Sequence, residues 1–297
     1  MTRFLGVDLA WGEGSPSKPA NESGLACVDE NGRVLDAGWA RGTDAVVRWI
    51  ERLWEPGAVL AIDAPLVVDN PSGMRLCERE TGSRYGRWHV AANASNLGLP
   101  WLAGVTVRRR LEASGWTYTD GVSPVPPTAA SFFECYPYTT LVGAEELGYS
   151  DKRPRYKRMG TSLPLGERRT ERAMVCDDLI QRMWRLTNAT PPLDLGSHPA
   201  SDALITAASP LLDKAYKHRE DLIDALLCAW TASLWWHEGT RRCQVLGAQD
   251  AVSSGGHRPT IIAPARPEQR RDAGTAAVVP AGVRATGPGT SAMRPAR

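Results

Sequence analysis

The sequence has no C-x-x-C pair, no strong excess of charge, and no apolar run approaching the ~20 residues that cross a membrane. Each absence excludes something. Cys27, Cys77, Cys135, Cys176, Cys228 and Cys243 stand apart, so neither a zinc knuckle nor a disulfide framework is indicated. They read as small buried hydrophobes of a protein held in a reducing setting, and a cytoplasmic location is expected. The opening run "RFLGVDLA" is too short for a secretory signal and reads as a strand. A formal net charge of +2 on 297 residues does not announce a nucleic-acid binder, so any such role must rest on local patches. There is no internal repeat.

What is present is an ordinary globular composition, 42% hydrophobic and 23% charged. "RFLGVDLAWG" predicts a first strand. "SGLACVDENGRVLDAGWA" predicts a hairpin turning at Asn31-Gly32, the strongest short turn signal. "TDAVVRWIERLWEPG" predicts a helix, with Thr43 as N-cap, Val46, Trp49, Ile50 and Leu53 at helical spacing, and Pro56-Gly57 as the stop. "AVLAIDAPLVV" is nearly all apolar and suits a strand covered on both faces. A helix joining two strands implies a parallel crossover. Further helices are expected at "LPWLAGVTVRRRLEASGW", at "GERRTERAMVCDDLIQRMWRLT" through Met174, Leu179, Ile180 and Met183, and at "HREDLIDALLCAWTASLWWHEG". "ASFFECYPYTTL" predicts a strand broken at Pro137, and "PTIIAPAR" a short last strand. Residues 1–266 read as one domain, with 69–129 as an insertion or cap. Residues 267–297 are rich in Ala, Gly, Pro and Arg and are expected to be disordered.

Four core-like segments each interrupt their apolar run with an acid: Asp8 in "GVDLAW", Asp63 in "AIDAPL", Glu134 in "FFECYP", and Asp221 with Asp224 in "EDLIDALLCAW". Asp221 and Asp224 are three apart and share a helix face, where like charges repel unless a cation or a proton intervenes. Carboxylates at strand ends, with no His or Cys beside them, are the ligands that Mg²⁺ or Mn²⁺ prefers. Such ions are the usual engine of phosphodiester hydrolysis.

The order of elements and acids resembles the ribonuclease H-like fold, and "DLIDALLCAW" looks like the last catalytic helix of Holliday-junction resolvases of that superfamily. More narrowly, "GVDLAWG", "AIDAPL", "RLCERETGSRYGRWHVAANASNL", "ECYP" and "DLIDALLCAWTA" with a trailing "IIAPAR" resemble the DUF429 family of predicted RNase H-like nucleases, over roughly residues 3–267. The resemblance implies an α/β fold, a ribonuclease H-like mixed sheet flanked by helices. It also implies Asp8, Asp63, Glu134, Asp221 and Asp224 as catalytic acids, with Asp8, Asp63, Glu134 and Asp224 on Mg²⁺ or Mn²⁺. The second acid of the superfamily is often Glu, whereas here it is Asp63.

Cations supply a candidate substrate surface. "KRPRYKR" holds Lys152, Arg153, Arg155, Lys157 and Arg158, suited to phosphates, or else to a solvated loop. "RYGRWH" interleaves Arg84, Arg87, Trp88 and His89, suited to stacking on bases, or else Trp88 is core. Asn93 and Asn96 are expected near His89 on a helix face. The leading expectation is a metal-dependent nuclease acting on DNA or RNA. The alternatives are an actin-like or sugar-kinase-like ATP-dependent phosphotransferase, and a non-catalytic module that binds nucleic acid or a partner. The phosphotransferase needs Gly-rich phosphate loops; "LAWGEG" after Asp8 carries bulky Leu9 and Trp11 instead.

Overall fold

Alternation settles the first strand. In β1 (Phe4–Asp8), Phe4 joins the core on one side of the sheet, and Leu5 and Val7 join the core on the other. The computed structural model describes residues 2–15 and 17–271. After β1 come a two-residue hairpin, β2 (Gly14–Ser15) and β3 (Lys18–Pro19), and a longer one, β4 (Glu22–Val28) and β5 (Val34–Arg41). The longer hairpin turns where Asn31-Gly32 predicts. Gly32 takes a left-handed φ of 77°, and Asp29 Oδ1 accepts the N–H groups of Asn31 and Arg33, both at 2.9 Å.

Helix α1 (Thr43–Arg52) leads to β6 (Val59–Asp63). Thr43 is not its cap. Gly42 is, at φ 81°, because the chain leaving β5 needs a left-handed residue to turn into the helix. Then follow α2 (Leu76–Tyr85), α3 (Ala103–Ala113), β7 (Thr117–Tyr118), β8 (Ser131–Glu134), α4 (Pro137–Gly143), α5 (Leu165–Trp184), α6 (Pro199–Thr206) and α7 (Asp213–Glu238). Pro137 ends the strand expected there by opening α4 as its first residue. Helix α5 buries Leu179, Ile180 and Met183 but leaves Met174 66% exposed. The hairpin β9 (Cys243–Leu246) and β10 (Ile261–Pro264) and the short α8 (Pro267–Arg271) close the described chain.

The main sheet has six strands in the order β5-β4-β1-β6-β8-β7. The pairs β5/β4 and β4/β1 are antiparallel; β1/β6, β6/β8 and β8/β7 are parallel. The expected crossover is present, and the chain is an α/β protein with a mixed sheet flanked by helices, the arrangement of a ribonuclease H-like sheet. Helices α1 and α3 cover one face through Val46, Ile50, Val107 and Leu111. Helix α7 covers the other, with α4 and α5 beyond it. Segment 69–129 thus contributes α3 to a core layer and β7 to the sheet edge.

Glycine sets how close α7 comes. A Cβ on Gly6 would stand 2.0 Å from the Ala225 carbonyl oxygen, and one on Gly24 1.9 Å from that of Asp221. The helix therefore rests directly on β1 and β4, and the turn bearing Asp221 and Asp224 lies over the end of β1.

Of the segment expected to be disordered, Pro267–Arg271 folds as α8, tied down by Arg87–Glu268 at 2.9 Å and by Gln269 Nε2 donating to the Arg84 carbonyl at 3.0 Å. Residues 272–297 lie outside the described residues. Among the described residues, no helix is long and apolar enough to cross a membrane.

Candidate metal centre

Register makes the first half of the site. Asp8 and Asp63 are the last residues of neighbouring parallel strands and pair directly with each other. Both are half-buried. Helix α7 supplies the second half. One carboxylate oxygen from each of Asp8, Asp63 and Asp224 lies within 4.8 Å of the other two. An anion at the end of a buried strand is thereby explained: it belongs to a group of three.

The helix acids already have partners. Asp224 is fully buried. The Tyr156 hydroxyl donates to its Oδ1, while its Oδ2 accepts no well-aligned hydrogen bond and is held by the Lys157 ammonium as an ion pair. Asp221 takes the Lys217 ammonium at 2.5 Å and stands close enough to Asp8 to share a hydrogen bond. Lys217 also reaches Glu220 at 2.9 Å.

Burial and crowding raise the carboxyl pKa values. Burial pushes Asp63 well above the carboxylate range, opposed by Lys157 and reinforced by Asp8 and Asp224. Burial pushes Asp224 up to about 6 despite the pull of Lys157. Burial, and then the charge of Asp8, push Asp221 up to about 8. For Lys157, burial would lower the pKa, but Asp224, Asp8 and Asp63 together hold the ammonium well above its usual range. This is a site short of positive charge. Its donors are all hard oxygens, with no sulfur or imidazole among the three, so the set fits Mg²⁺ or Mn²⁺.

Asp8, Asp63 and Asp221 line a cavity of about 550 Å³, with Asp224 buried beside them. Its walls include Trp11, Asn21, His89, Asn93, Tyr136, Tyr138, Arg153, Lys157, Arg158 and Lys217. Arg153 stacks its guanidinium 4.1 Å over the Tyr138 ring and donates from Nε to the His89 carbonyl at 2.8 Å. His89 holds a left-handed φ of 61°, strained for a residue with a Cβ, which turns the chain back towards the cavity after the short Gly86–Trp88 turn.

Several expected site residues lie elsewhere. Glu134 is not brought into the group. Strand β8 pairs Ile62 with Glu134, so Glu134 shares the phase of Ile62 and sits on the opposite face from Asp63. There, 3% exposed, it receives Arg75 Nη1 at 2.8 Å, Arg75 Nη2 at 2.6 Å and the Leu66 N–H at 2.9 Å. Trp88 is 1% exposed and donates Nε1 to the Ser150 carbonyl, so it cannot stack on a base. Arg84 donates to Gln244, and Arg87 covers Trp88 and pairs with Glu268; neither lines the cavity. Lys152 and Arg155 are exposed outside it. Asn96 serves a local turn, accepting the Gly98 N–H, and the chain there is not helical. Arg153, Lys157, Arg158, His89 and Asn93 are at the cavity as expected.

Sequence reading missed Trp11, Tyr136, Tyr138, Tyr156 and Lys217. Lys217 carried a signal: it lies four residues before Asp221, on the same helix face. Tyr136 and Tyr138 follow the acid of "ECYPY" directly, where a strand has just ended and side chains reach the sheet's rim.

Fold and site together define an α/β protein with a carboxylate triad at the edge of a mixed sheet. The chain belongs to the DUF429 family, described as a protein of unknown function, whose profile matches residues 6–249. No curated protein and no solved structure gave a match.

Proposed function

We propose that the protein is a ribonuclease H-like, metal-dependent nuclease that hydrolyses phosphodiester bonds of DNA or RNA. The observation that carries this reading is the convergence of Asp8, Asp63 and Asp224, of which Asp8 and Asp63 open onto a cation-walled cavity. Mg²⁺ or Mn²⁺ on these three acids would supply Lewis acidity towards the phosphate and towards water. The chain's own groups do the rest. Arg153 and Arg158 neutralise the backbone phosphates on either side of the scissile one. Tyr136, set edge-on to the buried Tyr138 at 5.5 Å, and Trp11 are the half-buried aromatic groups at the cavity that offer faces to the bases. Asp221, turned to Asp8 and held by Lys217, orients the first strand's carboxylate. We place the reaction in the cytoplasm; the six free thiols support a reducing compartment.

The test is a cleavage screen over single-stranded, duplex, branched and RNA–DNA hybrid substrates with Mg²⁺ or Mn²⁺. The expected outcome is cleavage of at least one class, lost in EDTA and lost by a factor of about 10² or more in Asp8→Asn. ATP-dependent phosphoryl transfer without cleavage would replace this reading with a phosphotransferase. Nucleic-acid binding that persists in EDTA without cleavage would replace it with a binding module.

A further inference from the structure

We propose that Lys157 is a resident cation of the carboxylate group, so that the site takes one divalent ion and not a pair. The inference rests on the metal-site reading above.

Lys157 is no loose surface cation. Its ammonium pairs with Asp224 Oδ2 and lies 5.1 Å from the Tyr138 ring centre and 5.8 Å from that of Tyr156. Tyr156, the residue before it, is fully buried. Its hydroxyl holds the other oxygen of Asp224, and its carbonyl accepts the Tyr216 hydroxyl at 2.5 Å. Both oxygens of Asp224 are thus held by two consecutive residues of one anchored segment. Lys217, one turn earlier on α7, pairs with Asp221 Oδ1 at 2.5 Å.

Asp8 and Asp63 differ. Neither forms an ion pair with any Lys or Arg among the described residues. The strand acids therefore offer a place for an ion, while the helix acids have their positive charge built in. A pair of ions bridged by these carboxylates would need Asp224 to release Lys157. That would leave the mostly buried Lys157 ammonium, beside two tyrosine rings, without its counter-charge at Asp224, which is unfavourable. One hexacoordinate ion on two or three carboxylates, completed by water, needs no such release. In the loaded site Lys157 then provides the second positive charge beside the phosphate.

The experiment is Mn²⁺ binding to the full chain without nucleic acid, read by calorimetry and by electron paramagnetic resonance. The wild type is expected to bind about one ion per chain, with the spectrum of isolated Mn²⁺. Lys157→Met, which frees Asp224 Oδ2, should bind about two and show a spin-coupled pair, while Lys157→Arg should stay at about one. About two ions in the wild type overturns the proposal, whether or not Lys157→Met folds. So does Lys157→Met that binds a single ion more tightly, because the ammonium would then merely compete for one position. The absence of any Mn²⁺ binding also overturns it. Cleavage is scored separately. One ion with no cleavage of any substrate rejects the nuclease and keeps this inference; two ions with cleavage does the reverse.

Discussion

Arg75 shows how a single residue can redirect a reading. Its guanidinium spans Glu78 and Glu134, with Nε 2.8 Å from Glu78 and two donors on Glu134, and all three are buried. Removing the cation leaves two buried acids unpaired. Arg75→Met is expected to destabilise the fold by about 3–5 kcal/mol in denaturant unfolding, because breaking a buried pair strands its partner. Glu134→Gln should leave Mn²⁺ affinity unchanged. A folded Glu134→Gln protein that no longer binds Mn²⁺ would return Glu134 to the ligand set. The sequence held Glu134 and Arg75 in plain view but not their pairing. Phe132 and Phe133 are both buried, on opposite faces, so alternation in "SFFE" gave no phase from which to assign a face to the acid that follows. Trp88 was equally ambiguous. A tryptophan between two arginines looks the same in sequence whether its ring meets a base or a core.

At the scale of elements, most of the architecture was legible. The apolar runs of the strands, the Asn31-Gly32 turn and the helical spacing in α1, α5 and α7 each follow from local chemistry. The stretch from His89 to Leu102 was not legible, because irregular backbone carries no period. The contact of α7 with β1 was also hidden, since Gly6 and Gly24 read simply as strand glycines. Yet that contact places the acids. Gly6→Ala would drive a methyl group into the Ala225 carbonyl. The expected result is a loss of about 1–3 kcal/mol of stability from overpacking. Mn²⁺ binding should weaken as well, since α7 must lift and carry Asp224 with it. A Gly6→Ala protein of unchanged stability and unchanged affinity would show that α7 is not seated by this contact. An alanine at Gly38 on the edge strand β5, where the added Cβ would meet no atom within 4 Å, is the control.

At the scale of the whole molecule, stability should follow pH through the acid group. The carboxyls of Asp224 and Asp221 are raised, to about 6 and about 8, mainly by burial. A carboxyl with a raised pKa binds its proton more tightly folded than unfolded. Its stabilising contribution is therefore full below the ordinary carboxylate range and is lost as pH climbs towards the folded-state value. The melting temperature of the metal-free protein is expected to fall between pH 5 and about 8 as these two groups lose their protons. Mg²⁺ or Mn²⁺ should offset the fall increasingly as pH rises, since it binds the deprotonated form. Calorimetric melting with and without metal checks this. A slope unchanged in Asp221→Asn would assign the effect to other groups. The near-neutral total charge conceals this arrangement, in which acids are gathered at the centre of one cavity and cations at its walls.

The three acids also come from distant parts of the sequence. Asp8 and Asp63 precede Asp224, which rides on α7 and follows all six strands of the main sheet. During synthesis the strands precede the helix that completes the group, and a ribosome-bound fragment ending before α7 has only two of its members. Translation order thus delays the assembly of the carboxylate group, and of any ion it would hold, until α7 has been made.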